Sequence, residues 1–126
     1  MIEALWVGAG AFLGAIARWG LTHLTSWGFL PMGTLLANWV GSFCIGLVLG
    51  YASWRGIAPQ LRLFVVTGFL GGLTTLSTFS WESIVIWQRR GLSAWCTHFF
   101  LHTLGSIILT MAGMILVHHY LVQSSS

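Results

Sequence analysis

Charge is what this sequence lacks. It contains no lysine and no aspartate, its only acids are Glu3 and Glu82, and charged residues make up 6% of its 126 positions. Water-soluble domains carry about a quarter, so most of this surface cannot face water. Without lysine, and with five arginines scattered along the chain, there is no basic groove for nucleic acid. The scarcity of acids also removes the usual enzyme machinery. No aspartate is present to orient a base, no convincing nucleophile–base set is visible, and the chain reads as a non-enzyme. Cysteine is equally sparse: Cys44 and Cys96 stand singly in apolar stretches, without the Cys-x-x-Cys spacing of a metal or redox site. They read as small apolar fillers.

What is present is apolar length. Hydrophobic residues make up 56% of the chain, and a helix needs about 20 of them in a row to cross a bilayer. Four segments reach that length, at 2–24, 33–54, 63–87 and 94–120, within a single domain over residues 1–126. The fold class expected is therefore all-α integral membrane. Short breaks separate the spans and contain Pro31, Pro59 and Gly91, and the 124–126 tail reads as frayed. Glu3 precedes the first apolar run and Arg18 interrupts its far end, so that run reads as a retained span rather than a cleaved leader. Trp27, Trp54, Trp87 and Trp95 fall at or near predicted ends, where interfacial aromatic anchors belong.

Small residues recur four apart: Gly10 and Gly14; Gly33, Ala37 and Gly41; Gly46 and Gly50; Gly68 and Gly72. Close backbone approach is what holds helices together in lipid, so these positions predict tight bundling and oligomerisation. Arginines are balanced across the two faces. Arg55 and Arg62 share the side of the termini, while Arg89, Arg90 and the nearby Arg18 mark the other. The positive-inside rule then has little to act on, which allows insertion in both orientations and an antiparallel, dual-topology dimer.

The chemistry concentrates in the third span. Gly71-Gly72 is followed by Thr74, Thr75, Ser77, Thr78 and Ser80. Glycine lowers helix propensity, and hydroxyl side chains compete for the backbone. A helix broken there, near the bilayer centre, would present freed backbone to protein, a cavity or an ion; a kinked but packed helix is the plainer alternative. The second span spaces Thr34, Asn38 and Ser42 four apart, and the fourth does the same with His98, His102, Ser106 and Thr110. Residues four apart share a helix face. Each stripe fits either interhelical hydrogen bonding or the lining of a polar path. Arg18 and Glu82 lie inside spans, where a charge needs pairing or water, and they fit either anchoring or ion steering. His98 and His102 supply two potential metal ligands, but no acid shares their helix, and two ligands make no site.

The string Gly68-Phe69-Leu70-Gly71-Gly72-Leu73-Thr74-Thr75-Leu76-Ser77-Thr78-Phe79-Ser80 closely resembles the third-helix signature of the Fluc/CrcB fluoride channels. Residues 33–38 resemble that family's second-helix motif, Gly14 with Arg18-Trp19 the first, and Gly105-Ser106 through Thr110 the fourth, so the likeness covers nearly the whole chain. The resemblance implies a dual-topology dimer with two antiparallel pores and passive, selective fluoride conduction, in a multi-pass protein of the bacterial cytoplasmic (inner) membrane. It implies a structural sodium ion on the dimer axis, held by the backbone carbonyls of Gly71 and Thr74. It places Asn38 as a fluoride donor, and Ser106 and Thr110 along a polar track joined by Ser77 or Thr78. The family pattern has phenylalanine at both aromatic pore positions, whereas this chain has Leu76 and Phe79. Only Phe79 offers the electropositive ring edge that meets an anion, so the resemblance leaves open a homodimer or a heterodimer in which a second chain supplies the missing ring. Two rival readings remain at this level. A small multidrug-type proton-coupled exporter would need an intramembrane carboxylate, for which Glu82 is the sole candidate. A non-transporting membrane scaffold would have no use for the polar stripes.

Overall fold

A computed structural model describes residues 1–25 and 30–124; Trp27 lies outside the described residues. Every regular element in it is helical. Helix α1 spans Ile2–Leu24 and α2 spans Met32–Arg55. Next comes α3 (59–73), which begins as α-helix at Pro59–Arg62, widens to a π-helix over Leu63–Leu70 and closes with Gly71–Leu73. The backbone then leaves the helix: Thr74 is extended, with φ −82° and ψ 153°. Helix α4 (76–90) starts at Leu76, and Gly91, at φ 80° and ψ −174°, separates it from α5 (92–124). That left-handed φ favours glycine, and it folds α5 back along α4. Trp87 and Trp95, four residues either side of the turn, meet edge to face at 5.4 Å.

Three helical stretches are long and apolar enough to cross a membrane: Ile2–His23, Met32–Arg55 and Pro59–Leu121, the last containing both the Thr74 break and the Gly91 turn. Large apolar side chains cover the outside, among them Phe12, Ile16, Ile108, Met111 and Ile115. An aqueous protein would bury such a surface, whereas lipid accepts it.

Close packing inside depends on glycine where two backbones touch. Helix α1 packs on α3, and a methyl at Gly14 would collide with the Phe69 carbonyl oxygen. Helix α2 packs on α5, and a methyl at Gly46 would collide with the Thr110 carbonyl oxygen. Dispersion is short-ranged, so these contacts require small residues. The core between the two pairs is small, centred on Ala37, Leu70 and Leu73. It sits directly beneath the Thr74 break.

Candidate functional site

Thr74 and Thr75 interrupt the helix, and the polar groups freed there find partners in side chains. The Thr75 N–H donates to Asn38 Oδ1 at 2.8 Å, and Asn38 Nδ2 donates back to the Thr75 carbonyl at 3.3 Å. Asn38 thus replaces, from α2, the helical bond that the Thr75 N–H forgoes, and adds a second donor to its carbonyl. The chain restarts under a side-chain cap, since the Thr78 N–H donates to Thr75 Oγ1 at 3.3 Å, in the manner of an N-cap to its third helical residue. On the other side the Thr74 hydroxyl donates to the Leu70 carbonyl at 2.9 Å, and Arg18 Nε donates to the Gly72 carbonyl at 3.1 Å. Arg18 thereby anchors the end of α3 from α1.

These substitutions release two carbonyls. In an unbroken helix the Gly71 carbonyl would accept from the Thr75 N–H, and the Thr74 carbonyl from the Thr78 N–H. Both N–H groups are instead held by side-chain oxygens, Asn38 Oδ1 and Thr75 Oγ1.

A cavity of about 370 Å³ opens beside the break. Asn38, Ser42, Gly71, Thr74, Thr75, Leu76, Phe79, His102 and Ser106 contribute to its wall. Of the residues singled out from sequence, Asn38, Leu76, Phe79 and Ser106 come together here, along with Gly71 and Thr74. Ser77, Thr78 and Thr110 do not line it. The Ser77 and Thr78 hydroxyls gather around Thr75 Oγ1, each at 3.2 Å. The Thr110 hydroxyl lies 3.0 Å from both the Ser42 and Ser106 carbonyls, bridging α2 to α5. Phe79 is buried, and its ring packs on His98 at 5.2 Å and on His102 at 4.8 Å, so its orientation is fixed from behind. Leu76 is 76% exposed in the single chain.

Asn38 carries more bonds than the sequence suggested. Besides Thr75, its Nδ2 lies 3.1 Å from His102 Nδ1. Because Asn38 Oδ1 already accepts from Thr75, the amide faces His102 as a donor, and His102 Nδ1 is the bare ring nitrogen. Both Asn38 N–H groups are therefore engaged within the protein.

Glu82 lies inside a span, where its charge needs pairing or water, and the structure shows what it meets. Thr34 Oγ1 donates to Glu82 Oε1 at 2.7 Å, and Glu82 stands beside both histidines of α5. One donor atom each from Glu82, His98 and His102 lies within 4.8 Å of the others. The acid that the histidine helix lacks comes from α4, across the Gly91 turn. Glu82 also borders a second cavity, of about 400 Å³, that reaches Arg89 and Arg90. A signal for this cluster was present in the numbering: Glu82 is nine positions before Gly91, and His98 and His102 are seven and eleven after it. A tight hairpin at Gly91 places them level.

The family profile described as CrcB-like protein, Camphor Resistance (CrcB), matches residues 5–114. This chain belongs to the CrcB family. A protein of Thiobacillus denitrificans is 48% identical over 119 residues, covering 90% of this chain and 94% of its own length. One of Nitrosospira multiformis is 44% identical over 115 residues, covering 88% and 89% respectively. One of Methanococcus aeolicus is 36% identical over 117 residues, covering 92% and 95%. All three are named fluoride-specific ion channel FluC.

Proposed function

We propose that this chain is a fluoride-selective passive channel subunit that lets cytoplasmic fluoride leave the cell. The observation that carries the reading is the cavity beside the Thr74 break, which joins hydroxyl donors, Asn38 and the buried Phe79 ring in a chain of the CrcB family. Fluoride holds water tightly, so a pore must offer donors in place of that water. Ser106 supplies a hydroxyl, and the edge of Phe79 supplies positive charge without binding the anion tightly. Asn38 serves fluoride only by giving up one of its two present bonds. The longer one, to the Thr75 carbonyl at 3.3 Å, is the easier to exchange.

In this reading the chain crosses the bacterial inner membrane four times, with 59–90 forming one interrupted span. Two copies lie antiparallel. The Gly71 and Thr74 carbonyls, released by Asn38 and Thr75, are hard oxygen donors of the kind a sodium ion takes, and two antiparallel copies would supply four. The bound ion would contribute positive charge near the anion path. The exposure of Leu76 and Gly71 in the single chain fits a face completed by another subunit. That subunit is either a second copy or a related chain carrying phenylalanine at the position of Leu76.

The test is anion efflux from liposomes holding the purified protein, with fluoride compared against chloride. Rapid efflux of fluoride alone supports the channel. A folded dimer that passes neither ion removes the homodimeric channel reading.

A further inference from the structure

The fluoride path makes no use of three buried, unpartnered donor atoms behind Phe79. Glu82 Oε2, His98 Nε2 and His102 Nε2 are each sequestered from solvent without a hydrogen-bond partner. His98 is 1% exposed and His102 4%. Buried polar groups are nearly always paired, and these three belong to residues that each bring a ligand atom within 4.8 Å of the others, so they call for a shared ligand.

The chemistry of the set selects the ligand. Two imidazoles and one carboxylate are the donors of a three-residue zinc-class site with a fourth position left for water. His98 Nε2 has no partner within the protein and is open to a cation. His102 is not yet ready for one, since its Nδ1 accepts from Asn38 and its Nε2 carries the proton. For His102 Nε2 to bind a metal, that proton must leave and Nδ1 must become the N–H. Asn38 Nδ2 can then no longer donate to it, so the amide has to turn or withdraw from Thr75.

We infer that Glu82, His98 and His102 form a binding site for a zinc-class divalent cation, and that filling it draws His102 away from Asn38. Donors around a tetrahedral zinc stand about 3.3 Å apart, from bond lengths near 2.0–2.1 Å. The side chains close inward by about 1.5 Å from the 4.8 Å seen here, within reach of small χ rotations. Metal binding at Glu82–His98–His102 thereby acts on the backbone break through one shared residue. The binding itself does not depend on the channel reading; its effect on flux does.

The experiment uses the purified full chain, freed of any histidine tag, in detergent. Cobalt(II) serves as the spectroscopic probe and zinc as the competitor. The expected result is one cobalt per chain, with the intense visible bands of a tetrahedral ion, displaced by zinc. His98→Gln and Glu82→Gln should each weaken binding at least tenfold. A double change at His118 and His119, the exposed histidines near the C-terminal end, should leave it unchanged. Size-exclusion elution and tryptophan emission identical to the parent chain confirm folding of each variant. Binding that persists in both His98→Gln and Glu82→Gln, or vanishes with the His118/His119 change, overturns the site. Zinc should also slow fluoride efflux in the parent chain and not in His98→Gln. If cobalt binds at the trio while zinc leaves efflux unaltered, the link to Asn38 is overturned. A chain that binds cobalt but passes no fluoride counts against the channel reading alone.

Discussion

Two polar clusters meet at His102, and they are completed in opposite ways. Around Thr75 the freed N–H and the carbonyl both meet Asn38, and the hydroxyl caps the next helix. Around Glu82 and His98, four helix turns or less from the Gly91 turn, three donor atoms are buried and unbonded. The first cluster holds the backbone in a shape its own residues would not keep. The second contributes little to that shape and keeps its donors free for something else. In a low-dielectric interior a satisfied network specifies structure, while an unsatisfied one costs free energy and persists only where it has a use. Changes on the two sides of His102 should therefore differ sharply in their effect on stability.

The largest effect is expected at Asn38. Asn38→Ala leaves the Thr75 N–H and His102 Nδ1 without partners and takes a second donor from the Thr75 carbonyl. Membrane hydrogen bonds average about 0.6 kcal/mol each, which sets a floor near 2 kcal/mol for the three. Stranding buried backbone groups costs about 1–3 kcal/mol apiece, so the loss should exceed that floor. The midpoint of thermal unfolding in detergent should fall clearly and fluoride efflux should cease. Asn38→Asp tests the donors alone, because a carboxylate still accepts from Thr75 but donates to nothing; normal fluoride efflux in Asn38→Asp would remove Asn38 from the path.

Next in size is Thr75→Val, which keeps the shape and removes the cap on Thr78 together with the contacts to Ser77 and Thr78. Loss of an N-cap oxygen costs about 1 kcal/mol. On the other side of His102, His98→Phe preserves a ring against Phe79 while deleting an orphaned nitrogen. Deleting an atom that makes no hydrogen bond forfeits none, so with a chelator present stability should change by less than about 1 kcal/mol. A loss at His98→Phe as large as that at Asn38→Ala would erase the distinction between the two clusters.

The sequence made some of this legible and not the rest, for physical reasons. Helical, membrane-compatible character follows from apolar run length, which is a local property. The motif at 68–80 carried the family. The glycines and hydroxyls at 71–78 marked where helix propensity is poorest, and Thr74 is extended there. How Asn38 would be used was not legible. Its spacing showed a polar face on α2, but which backbone groups it meets depends on how α2 lies against the break. The neighbours of Glu82 were not legible, because Thr34 stands on another helix and the two histidines lie on the far side of a turn. Only the left-handed Gly91 fixes the register that brings Glu82 level with His98 and His102. The resemblance puts Thr110 on the polar track, and only the packing of α2 on α5 shows that its hydroxyl also bridges the two helices beside Gly46.

The smallest expected effect on the fold is at Leu76, and it bears most directly on the pore. Leu76 follows the cap residue Thr75 and is 76% exposed in the single chain, so a larger ring meets no packed neighbour within it. Leu76→Phe should leave the unfolding midpoint within about 0.5 kcal/mol of the parent, as for surface substitutions generally. Its effect should appear in flux instead. A ring at position 76 would add a second electropositive edge to the cavity that Phe79 already lines, and initial fluoride efflux should rise a few-fold with chloride still excluded. If Leu76→Phe alters neither flux nor selectivity, a single aromatic edge is sufficient here, and the hydroxyls and Asn38 carry anion recognition. If the parent chain is silent and Leu76→Phe conducts, the parent's natural assembly is with a chain that supplies the ring. Measuring both in the same liposome preparation, with Phe79→Leu as the complementary change, separates these outcomes. Phe79→Leu removes the one remaining edge and also the ring that His98 and His102 hold, so it should stop fluoride efflux whichever answer Leu76→Phe returns.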